Sequence, residues 1–281
     1  MGYLEREPPA PLRASVSRLW WLRMQSPQRF ERIVPIPAMH LIVNLAPEPY
    51  RVIARGRTSV DQTLEAAFLS GMQLEYLLNE NPPVVHHVGA AIHPWAAGAF
   101  GIDPAAVVDR VQPAATFLTG IDVLRTSLAQ VDPAEAIARY ASFLTDLRDP
   151  QWTPDHRVVA AIGGMDADPG VPIRELAGRA RMSPKGFAEA FRRATGVTPK
   201  RFSAVLRHQA FLAELPDEGD LPKWSELMRT GGYYDQPHFI HEFRRLTGMT
   251  PTAYLEHRRR YGHGEPSFLP FDEDGAFSPS P

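Results

Sequence analysis

The sequence predicts an α+β fold: a β-rich, small barrel-like N-terminal domain with helices, followed by an all-α half built from two related units. Two observations support this division. Apolar segments with strand-like patterning lie in the first 100 residues, whereas a nine-residue segment recurs after residue 190. The length of 281 residues is also typical of two domains rather than one. We therefore predict one domain over residues 1–150 and another over 151–261.

The first half contains three predicted strands and two predicted helices. The strands are Val16 to Leu22, Ile33 to Leu45 and Val84 to Ile92, and the second of them alternates apolar and polar residues around Met39–Leu45. The helices are Pro104 to Val111 and Pro133 to Leu147. Strands followed by helices favour an α+β domain that senses a small molecule or mediates association.

The second half contains an internal repeat. Residues 191–199 read FRRATGVTP, and residues 243–251 read FRRLTGMTP. The same offset of 52 residues relates Phe187 to Phe239 and Phe202 to Tyr254. Two copies of one supersecondary unit explain this pattern most simply, over about 172–198 and 223–250.

Each copy is predicted to be a helix, a tight turn and a second helix. In unit one Ser183 caps the second helix, Gly196 ends it in a left-handed conformation, and Thr198-Pro199 begins the next helix. Unit two repeats the exit at Gly248 and Thr250-Pro251. Its first helix is predicted around Trp224, Leu227 and Met228, its turn at Gly231-Gly232 and its cap at Asp235. This is the helix-turn-helix pattern, and Pro199 to Leu215 is predicted to be the helix that joins the two units.

The second unit resembles the C-terminal domain of the AraC/XylS family of transcription regulators. The motif that carries the resemblance reads GYYDQPHF over residues 232–239, followed by Phe243-Arg244-Arg245, Gly248, Thr250-Pro251 and Tyr254. The likeness covers roughly 100 residues with both repeats in order. It implies a DNA-binding regulator that activates transcription by contacting RNA polymerase, although the residues themselves do not separate activation from repression.

The exposed faces of the two second helices give the predicted DNA contacts. In helix-turn-helix proteins the beginning of the second helix meets base edges in the major groove, whereas other side chains hold phosphates. The predicted base-reading residues are Lys185, Ala188, Glu189 and Arg192 in unit one, and Gln236, Pro237, His238, His241 and Arg245 in unit two. The predicted phosphate contacts are Ser183, Arg193, Lys200, Arg201 and Arg244. The alternative for each side chain is a solvated helix face, above all for Glu189 and His241, which stand where the family usually has Arg.

Several features of the first half resemble an N-terminal domain that often precedes this DNA-binding module. They are Pro9 to Leu12, Trp20-Trp21, Glu31-Arg32 with Pro35, and Gly89 with His93-Pro94 and Gly98. The resemblance implies a small effector or interaction module whose ligand is unknown. The chain departs from it at Ile36-Pro37-Ala38, where related sequences tend to have Asp-Gly.

Catalysis and metal binding are not expected. His40, His86, His87 and His93 lack the spacing of a metal site with a nearby carboxylate, and no phosphate-binding loop or nucleophile elbow is present. Zero cysteines exclude disulfides, thiolate ligands and a cysteine nucleophile, and fit a reducing cytoplasm. We therefore predict no enzyme activity, no cofactor and no metal.

Charge is distributed unevenly along the chain. Residues 171–261 hold 16 Lys and Arg against 10 Asp and Glu, whereas residues 262–281 hold four acidic residues and no Lys or Arg. A basic segment favours a polyanionic partner such as double-stranded DNA. We predict that the acidic tail, 262–281, is disordered because it is rich in Pro, Gly, Ser and acidic residues.

The combined expectation is a cytoplasmic, one-component transcription regulator under the control of an unknown small-molecule or protein effector. A homodimer is plausible as an expectation because two half-sites raise specificity, but no coiled-coil heptad supports it. No apolar run approaches membrane-spanning length, so no membrane contact is expected. The alternative is an enzyme or interaction protein whose helix-turn-helix module only tethers it to DNA or to a partner.

Overall fold

The computed structural model describes residues 2–26, 28–53, 60–215, 236–261 and 267–271. Eleven strands are assigned in these ranges: β1 Gly2–Arg6, β2 Val16–Gln25, β3 Phe30–Ile33, β4 Met39–Asn44, β5 Tyr50–Ile53, β6 Val60–Leu64, β7 Ala67–Ser70, β8 Leu77–Glu80, β9 Val84–Ile92, β10 Val111–Pro113 and β11 Phe268–Phe271. Nine α-helices are assigned there: α1 Pro104–Val107, α2 Ile121–Leu128, α3 Pro133–Leu147, α4 His156–Ala167, α5 Ile173–Arg179, α6 Pro184–Thr195, α7 Pro199–Ala213, α8 Gln236–Thr247 and α9 Pro251–Tyr261. None of the described helices combines the length and the apolar character needed to cross a bilayer.

The strands form two antiparallel sheets. The larger sheet has the order β1-β2-β9-β4-β7-β10, and the smaller has the order β11-β3-β8-β5-β6. An apolar cluster lies between the sheets, with Tyr50 and Val52 from the smaller sheet packed against Phe68 and Val85 from the larger. The predicted β-rich N-terminal half followed by an all-α half is therefore confirmed, as a two-sheet structure with helices on its outer face.

The predicted strand from Ile33 to Leu45 is wrong in extent. It is two strands, β3 and β4, which belong to different sheets and are separated by residues 34–38. Pro35 and Pro37 lie in this break, where their missing N–H groups end the ladder. Apolar and polar residues alternate on both sides of residues 34–38, so the pattern alone does not reveal the break between the two strands.

The predicted helix from Pro104 to Val111 is also too long. Asp103 caps α1 by accepting a hydrogen bond from the Ala105 N–H, but the helix ends at Val107. Asp109 then adopts a left-handed backbone with φ of 55°, and Val111 begins β10. The predicted helix over Pro133–Leu147 is confirmed as α3, whose Tyr140 hydroxyl donates to the Leu41 carbonyl on β4 at 2.9 Å.

The main core is continuous across residue 150. It runs from the outer face of the larger sheet, at Leu41 and Ala90, through Tyr140 on α3 to Phe187 and Phe202 in the helical half. Trp152 lies in the connection and packs against this core, under the backbone of Gly98. The first helical unit is thus packed on the N-terminal domain rather than joined to it by a free linker.

A second, smaller core lies around α7, α8 and α9. Its buried residues are Val34, Phe211, Leu212, Leu215, Phe239, Phe243, Met249, Tyr254, Leu255 and Leu269. Val34 comes from the N-terminal domain and Leu269 from β11, so two distant parts of the chain complete the core of unit two.

The predicted disorder of the tail 262–281 is wrong for residues 267–271. Phe268–Phe271 form β11 and pair antiparallel with β3, with Phe268 opposite Ile33. Leu269 is buried and the Ser267 carbonyl accepts a hydrogen bond from the Val34 N–H at 2.8 Å. Apolar residues at these positions outweigh the polar composition of the surrounding tail.

Candidate nucleic-acid interface

Unit one forms the predicted helix, turn and second helix. The helices are α5 and α6, and Arg181 adopts a left-handed backbone with φ of 54° in the turn between them. The Ser183 hydroxyl accepts a hydrogen bond from the Gly186 N–H at 3.1 Å, which satisfies one of the free donors at the start of α6. Gly196 ends the helix with φ of 77°, as predicted.

The second helix of unit two, α8, repeats the local structure of α6. Thr247 repeats Thr195, because each hydroxyl donates to the carbonyl four residues earlier at 2.8 Å. Gly248 repeats Gly196 with φ of 72°. The Thr250 hydroxyl accepts from the Ala253 N–H at 3.1 Å and caps α9. The first helix of this unit, its turn and the Asp235 cap lie outside the described residues.

Aromatic side chains hold the inner faces of both second helices. In unit one Phe191 packs between Phe187 and Phe202, with ring centroids 5.9 and 5.4 Å away. In unit two Phe243 lies between Phe239 and Tyr254, at 5.6 and 5.4 Å. The matched spacing confirms the repeat as a structural one and directs the intervening polar residues away from the core.

Most of the predicted DNA-contacting side chains lie on these outer faces. The exposed members are Lys185, Glu189, Arg192, Gln236, Pro237, His238 and His241 among the predicted base readers, and Ser183, Arg193, Lys200, Arg201 and Arg244 among the predicted phosphate contacts. Ala188 is half-buried, as its small side chain near the helix axis allows. A helix face that presents amide, imidazole and guanidinium groups has the donors and acceptors that base edges and phosphates require.

Arg245 is the exception among the predicted base readers. It is half-buried, and its guanidinium donates to the carbonyl of Leu74 in the N-terminal domain. The structure therefore does not place Arg245 on the open face of α8. Arg245 is drawn to a partner 171 residues away in the sequence, and the spacing of residues along α8 gives no indication of this contact.

An ion pair that the sequence analysis missed holds α8 on the joining helix. The Arg207 guanidinium on α7 lies 3.3 Å from the Glu242 carboxylate, and both side chains are largely buried. Glu242 is also 3.9 Å from the imidazole of His238, one turn earlier on α8.

The four histidines of the first half are held by aromatic neighbours. His87 is buried, accepts a hydrogen bond from the Trp20 indole at 2.9 Å, and lies 2.8 Å from the Tyr50 hydroxyl. His40, His86 and His93 lie against the rings of Trp20, Trp21 and Trp95 respectively. Within the described ranges no three His, Asp or Glu side chains are arranged to hold a metal ion.

Burial keeps His87 neutral. Desolvation, with smaller contributions from the neighbouring His86 and His40, lowers the pKa of His87 to about 3. Trp20 occupies the space above Gly89, where a Cβ would lie 2.1 Å from the indole. The Trp20 ring therefore points between the sheets and contributes to packing there.

Comparison with protein families identifies both halves of the chain. Residues 176–257 match the family described as a helix-turn-helix domain, and residues 4–112 match a domain of unknown function, DUF6597. Residues 176–257 form an AraC-type helix-turn-helix domain. The chain is therefore a DNA-binding transcription regulator with an AraC-type C-terminal domain and a DUF6597 N-terminal domain.

Solved structures that match this chain include AraT and ToxT. The C-terminal domain of the response regulator AraT from Geobacillus stearothermophilus is 20% identical, with 39% of this chain and 88% of that one covered and a TM-score of 0.34. ToxT from Vibrio cholerae is 9% identical, with 91% of this chain and 98% of that one covered and a TM-score of 0.45. A structure of ToxT with a bound unsaturated fatty acid is 10% identical, with 89% and 96% covered and a TM-score of 0.44. No curated protein sequence matches this chain.

Proposed function

We propose that the chain is a one-component regulator whose AraC-type domain reads a promoter sequence with two second helices, α6 and α8. The observation that supports this proposal is the structural repeat: both helices bury the same aromatic positions and end at the same left-handed glycine. Two equivalent helices presented by one rigid joining helix can address successive major-groove segments, about 34 Å apart, on one face of DNA.

Within this proposal the exposed residues of the two helices divide into two roles. Lys185, Gln236 and His238 face base edges, where Lys donates to guanine and Gln pairs with adenine. Glu189 and Arg192 complete the reading face of unit one, with Glu189 accepting from cytosine. The remaining cationic side chains bind phosphates and set the register, namely Arg193, Lys200, Arg201 and Arg244.

The N-terminal domain is proposed to take an effector or a second copy of the chain, and the regulator to act on RNA polymerase in the cytoplasm. It is not proposed to be an enzyme, because the titratable groups that the sequence singles out there are held by indole and phenol rings rather than directed at an open site. Bound metal or turnover by the purified full chain would contradict this part of the proposal.

The first experiment is selection of bound duplexes from a random DNA pool by the full chain at near-physiological salt. We expect one enriched motif that spans two adjacent major-groove segments. Enrichment of one segment alone would mean that unit one, with Glu189 and Ala188 on its outer face, serves as a scaffold. Failure to enrich any sequence would contradict sequence-specific binding by this protein in its effector-free form.

Substitutions then test the division of roles. We expect Gln236→Ala and His238→Ala each to reduce discrimination between the selected site and altered sites by about 1–3 kcal/mol. Arg244→Ala should weaken binding to all sequences similarly and make it less dependent on salt, because a phosphate contact releases counterions but reads no base. Equal effects of all three substitutions on every sequence would show that the reading face is placed wrongly.

A further inference from the structure

A line of polar contacts runs along the joining helix α7 from unit one to unit two. The Ser203 hydroxyl donates to the Pro169 carbonyl, just before α5, at 3.2 Å. One turn later on the same face of α7, the Arg207 guanidinium donates to the Ser203 hydroxyl at 3.3 Å. The same guanidinium donates to both oxygens of the Glu242 carboxylate on α8, at 3.3 and 3.4 Å. The second helix of unit two is therefore linked through α7 to the beginning of unit one.

These contacts lie inside the DNA-binding domain rather than on its surface. Ser203 is 3% exposed, Glu242 is 8% exposed, and the side chain of Arg207 is 18% exposed. Apolar burial is non-directional, whereas a hydrogen bond weakens steeply as its angle departs from linear. The contacts of Arg207 therefore fix the rotation of α8 on α7, which the surrounding phenylalanine side chains define less closely.

Unit one forms the same local structure without an ion pair at this place. At the offset of 52 residues, the counterpart of Glu242 is Ala190 on α6, which is buried. The helices α6 and α8 nevertheless bury the same aromatic positions and end at the same left-handed glycine. A buried ion pair also contributes little net stability, because the desolvation of both charges offsets their attraction. Formation of the unit therefore does not account for the carboxylate of Glu242.

Glu242 lies beside the predicted base-reading face of α8. Its carboxylate is 3.9 Å from the imidazole of His238, one turn earlier, and Phe239 and Phe243 next to it are buried in the smaller core. A rotation of α8 on α7 would move His238 and Gln236 together relative to α6. Because DNA rises by about 3.4 Å and turns by about 35° per base pair, such a rotation changes which spacing between two segments the helices can read.

We propose that Ser203, Arg207 and Glu242 are positioning residues that set the spacing between the two DNA segments read by α6 and α8. The inference rests on the proposed function, in which both second helices meet base edges. None of the three is among the predicted DNA-contacting residues, and they act through the orientation of α8. Discrimination between spacings is then a property of the contact between α7 and α8, whereas discrimination between bases belongs to the exposed side chains.

The sharpest variant replaces the ion pair by apolar side chains, as Arg207→Met together with Glu242→Leu. The net charge is unchanged and no buried charge is left without its partner, so the domain should stay folded. The matched control is Arg139→Met together with Glu135→Leu, which makes the same substitutions in an exposed ion pair on α3.

The measurement is binding of the full chain to duplexes that carry the two selected segments at the selected spacing, or one base pair closer or farther apart. Wild type and the control should prefer the selected spacing by about tenfold or more, because a misplaced segment loses base contacts. In the Arg207→Met, Glu242→Leu variant this preference should fall below about threefold, because α8 can then follow each spacing. Discrimination against base changes within either segment should stay within about twofold of wild type, since the reading side chains are intact.

Ser203→Ala supplies an independent variant. It removes only the hydroxyl that joins Arg207 to the Pro169 carbonyl, and alanine is favourable within a helix. The preference for the selected spacing should weaken by about two- to threefold, because Arg207 loses one of its two fixed partners. Its matched control is Ser15→Ala, which removes another buried hydroxyl that donates to a carbonyl, in the N-terminal domain, and should leave the preference unchanged. Thermal melting by circular dichroism checks that each variant is folded at the temperature of the binding measurement.

The outcomes separate this inference from the proposed function. If the Arg207→Met, Glu242→Leu variant binds both segments and still requires the wild-type spacing, the positioning role is wrong and the proposed function stands. The same holds if wild type accepts all spacings equally. Should that variant be unfolded, Ser203→Ala decides, and a spacing preference equal to that of Ser15→Ala overturns the inference. If wild type enriches no sequence at all, the positioning role and the proposed function fail together.

Discussion

Phe191 in unit one and Phe243 in unit two occupy the same place in the repeat and are both fully buried, yet they belong to different cores. Phe191 shares a core with the outer face of the larger sheet and with α3. Phe243 lies in a small cluster that Val34 and Leu269 complete from outside the unit. One local structure is thus supported in two ways: unit one by the main core that it shares with the N-terminal domain, and unit two by the smaller core, with Leu246 of α8 reaching the main core.

Truncation of Phe191 and of Phe243 to alanine should distinguish the two cores most clearly. We expect Phe191→Ala and Phe243→Ala each to cost about 3–5 kcal/mol locally, as buried aromatic truncations do. Phe191→Ala should lower the free energy of unfolding of the N-terminal domain as well, whereas Phe243→Ala should loosen only α8, α9 and their neighbours. Urea unfolding followed by tryptophan fluorescence, together with hydrogen exchange by peptide, measures both effects. Faster exchange in α3 in both variants would contradict the difference between the cores.

Alanine substitutions at the two glycines that end α6 and α8 should differ less in their effect on stability. Gly196 and Gly248 both have positive φ, so alanine is strained at either by about 1–2 kcal/mol. A Cβ at Gly196 would lie 2.6 Å from the Pro104 backbone carbonyl, whereas one at Gly248 would lie 2.7 Å from the Tyr76 ring. The backbone of α1 cannot move aside as a side chain can, so we expect Gly196→Ala to lower the melting temperature more than Gly248→Ala. The reverse order would show that the Tyr76 contact is the more rigid of the two.

Two buried histidines, one in the helical half and one between the sheets, should make the stability of each region depend on pH. Burial, assisted by the charge of Arg245, lowers the pKa of His208 on α7 to about 3, and burial lowers that of His87 between the sheets to about 3 as well. Because both values lie below the ordinary value of about 6.5, the unfolded chain binds these protons first. Stability is therefore fully present above about pH 6.5 and falls as the pH drops towards 3, by up to about 1.4 kcal/mol per pH unit for each group.

The variants at these histidines should have opposite effects near neutral pH. Neither ring nitrogen of His208 has a hydrogen-bond partner within the described residues, and the ring lies 5.0 Å from that of Phe243. His208→Leu should therefore leave stability at pH 7 unchanged or raised, and reduce its loss at acid pH. His87→Leu should instead cost about 1–3 kcal/mol, because it leaves the buried Trp20 N–H without its acceptor. Chemical denaturation of both variants at pH 5 and pH 7 tests these expectations. Equal losses of unfolding free energy in the two variants at pH 7 would contradict the different hydrogen bonding of the two histidines.

Local features of the helical half could be predicted from the sequence because they depend on neighbouring residues. Ser183, Thr198 and Gly196 define helix ends through hydrogen bonds within four residues, and the aromatic repeat marks the buried face of each second helix. The joining helix was predicted from Pro199 to Leu215, and it spans Pro199–Ala213, so its start was predicted from the same signals and its end lies two residues earlier. For this reason the AraC-type architecture and most of its exposed face were predicted in outline.

Long-range contacts could not be predicted in this way. Nothing near Arg245 indicates that Leu74 will accept its hydrogen bond, and nothing near Arg32 indicates Thr247, 215 residues later. Pro35 could have indicated the break, because proline interrupts a strand ladder. Apolar and polar residues continue to alternate across it, however, so the pattern does not show that the chain passes from one sheet to the other. The residues that connect the two halves are thus the ones that the sequence pattern predicts least well.

The pairing of β11 with β3 bears on how the protein is made. Phe268 lies opposite Ile33, so the smaller sheet receives this outer strand from a segment that is synthesised after both helix-turn-helix units. Until then β3 is an uncovered sheet edge, and an uncovered edge readily pairs with other chains. The N-terminal domain therefore gains β11 only after the DNA-binding domain has been synthesised, and a polypeptide fused directly after residue 271 would affect the N-terminal domain as much as the DNA-binding domain.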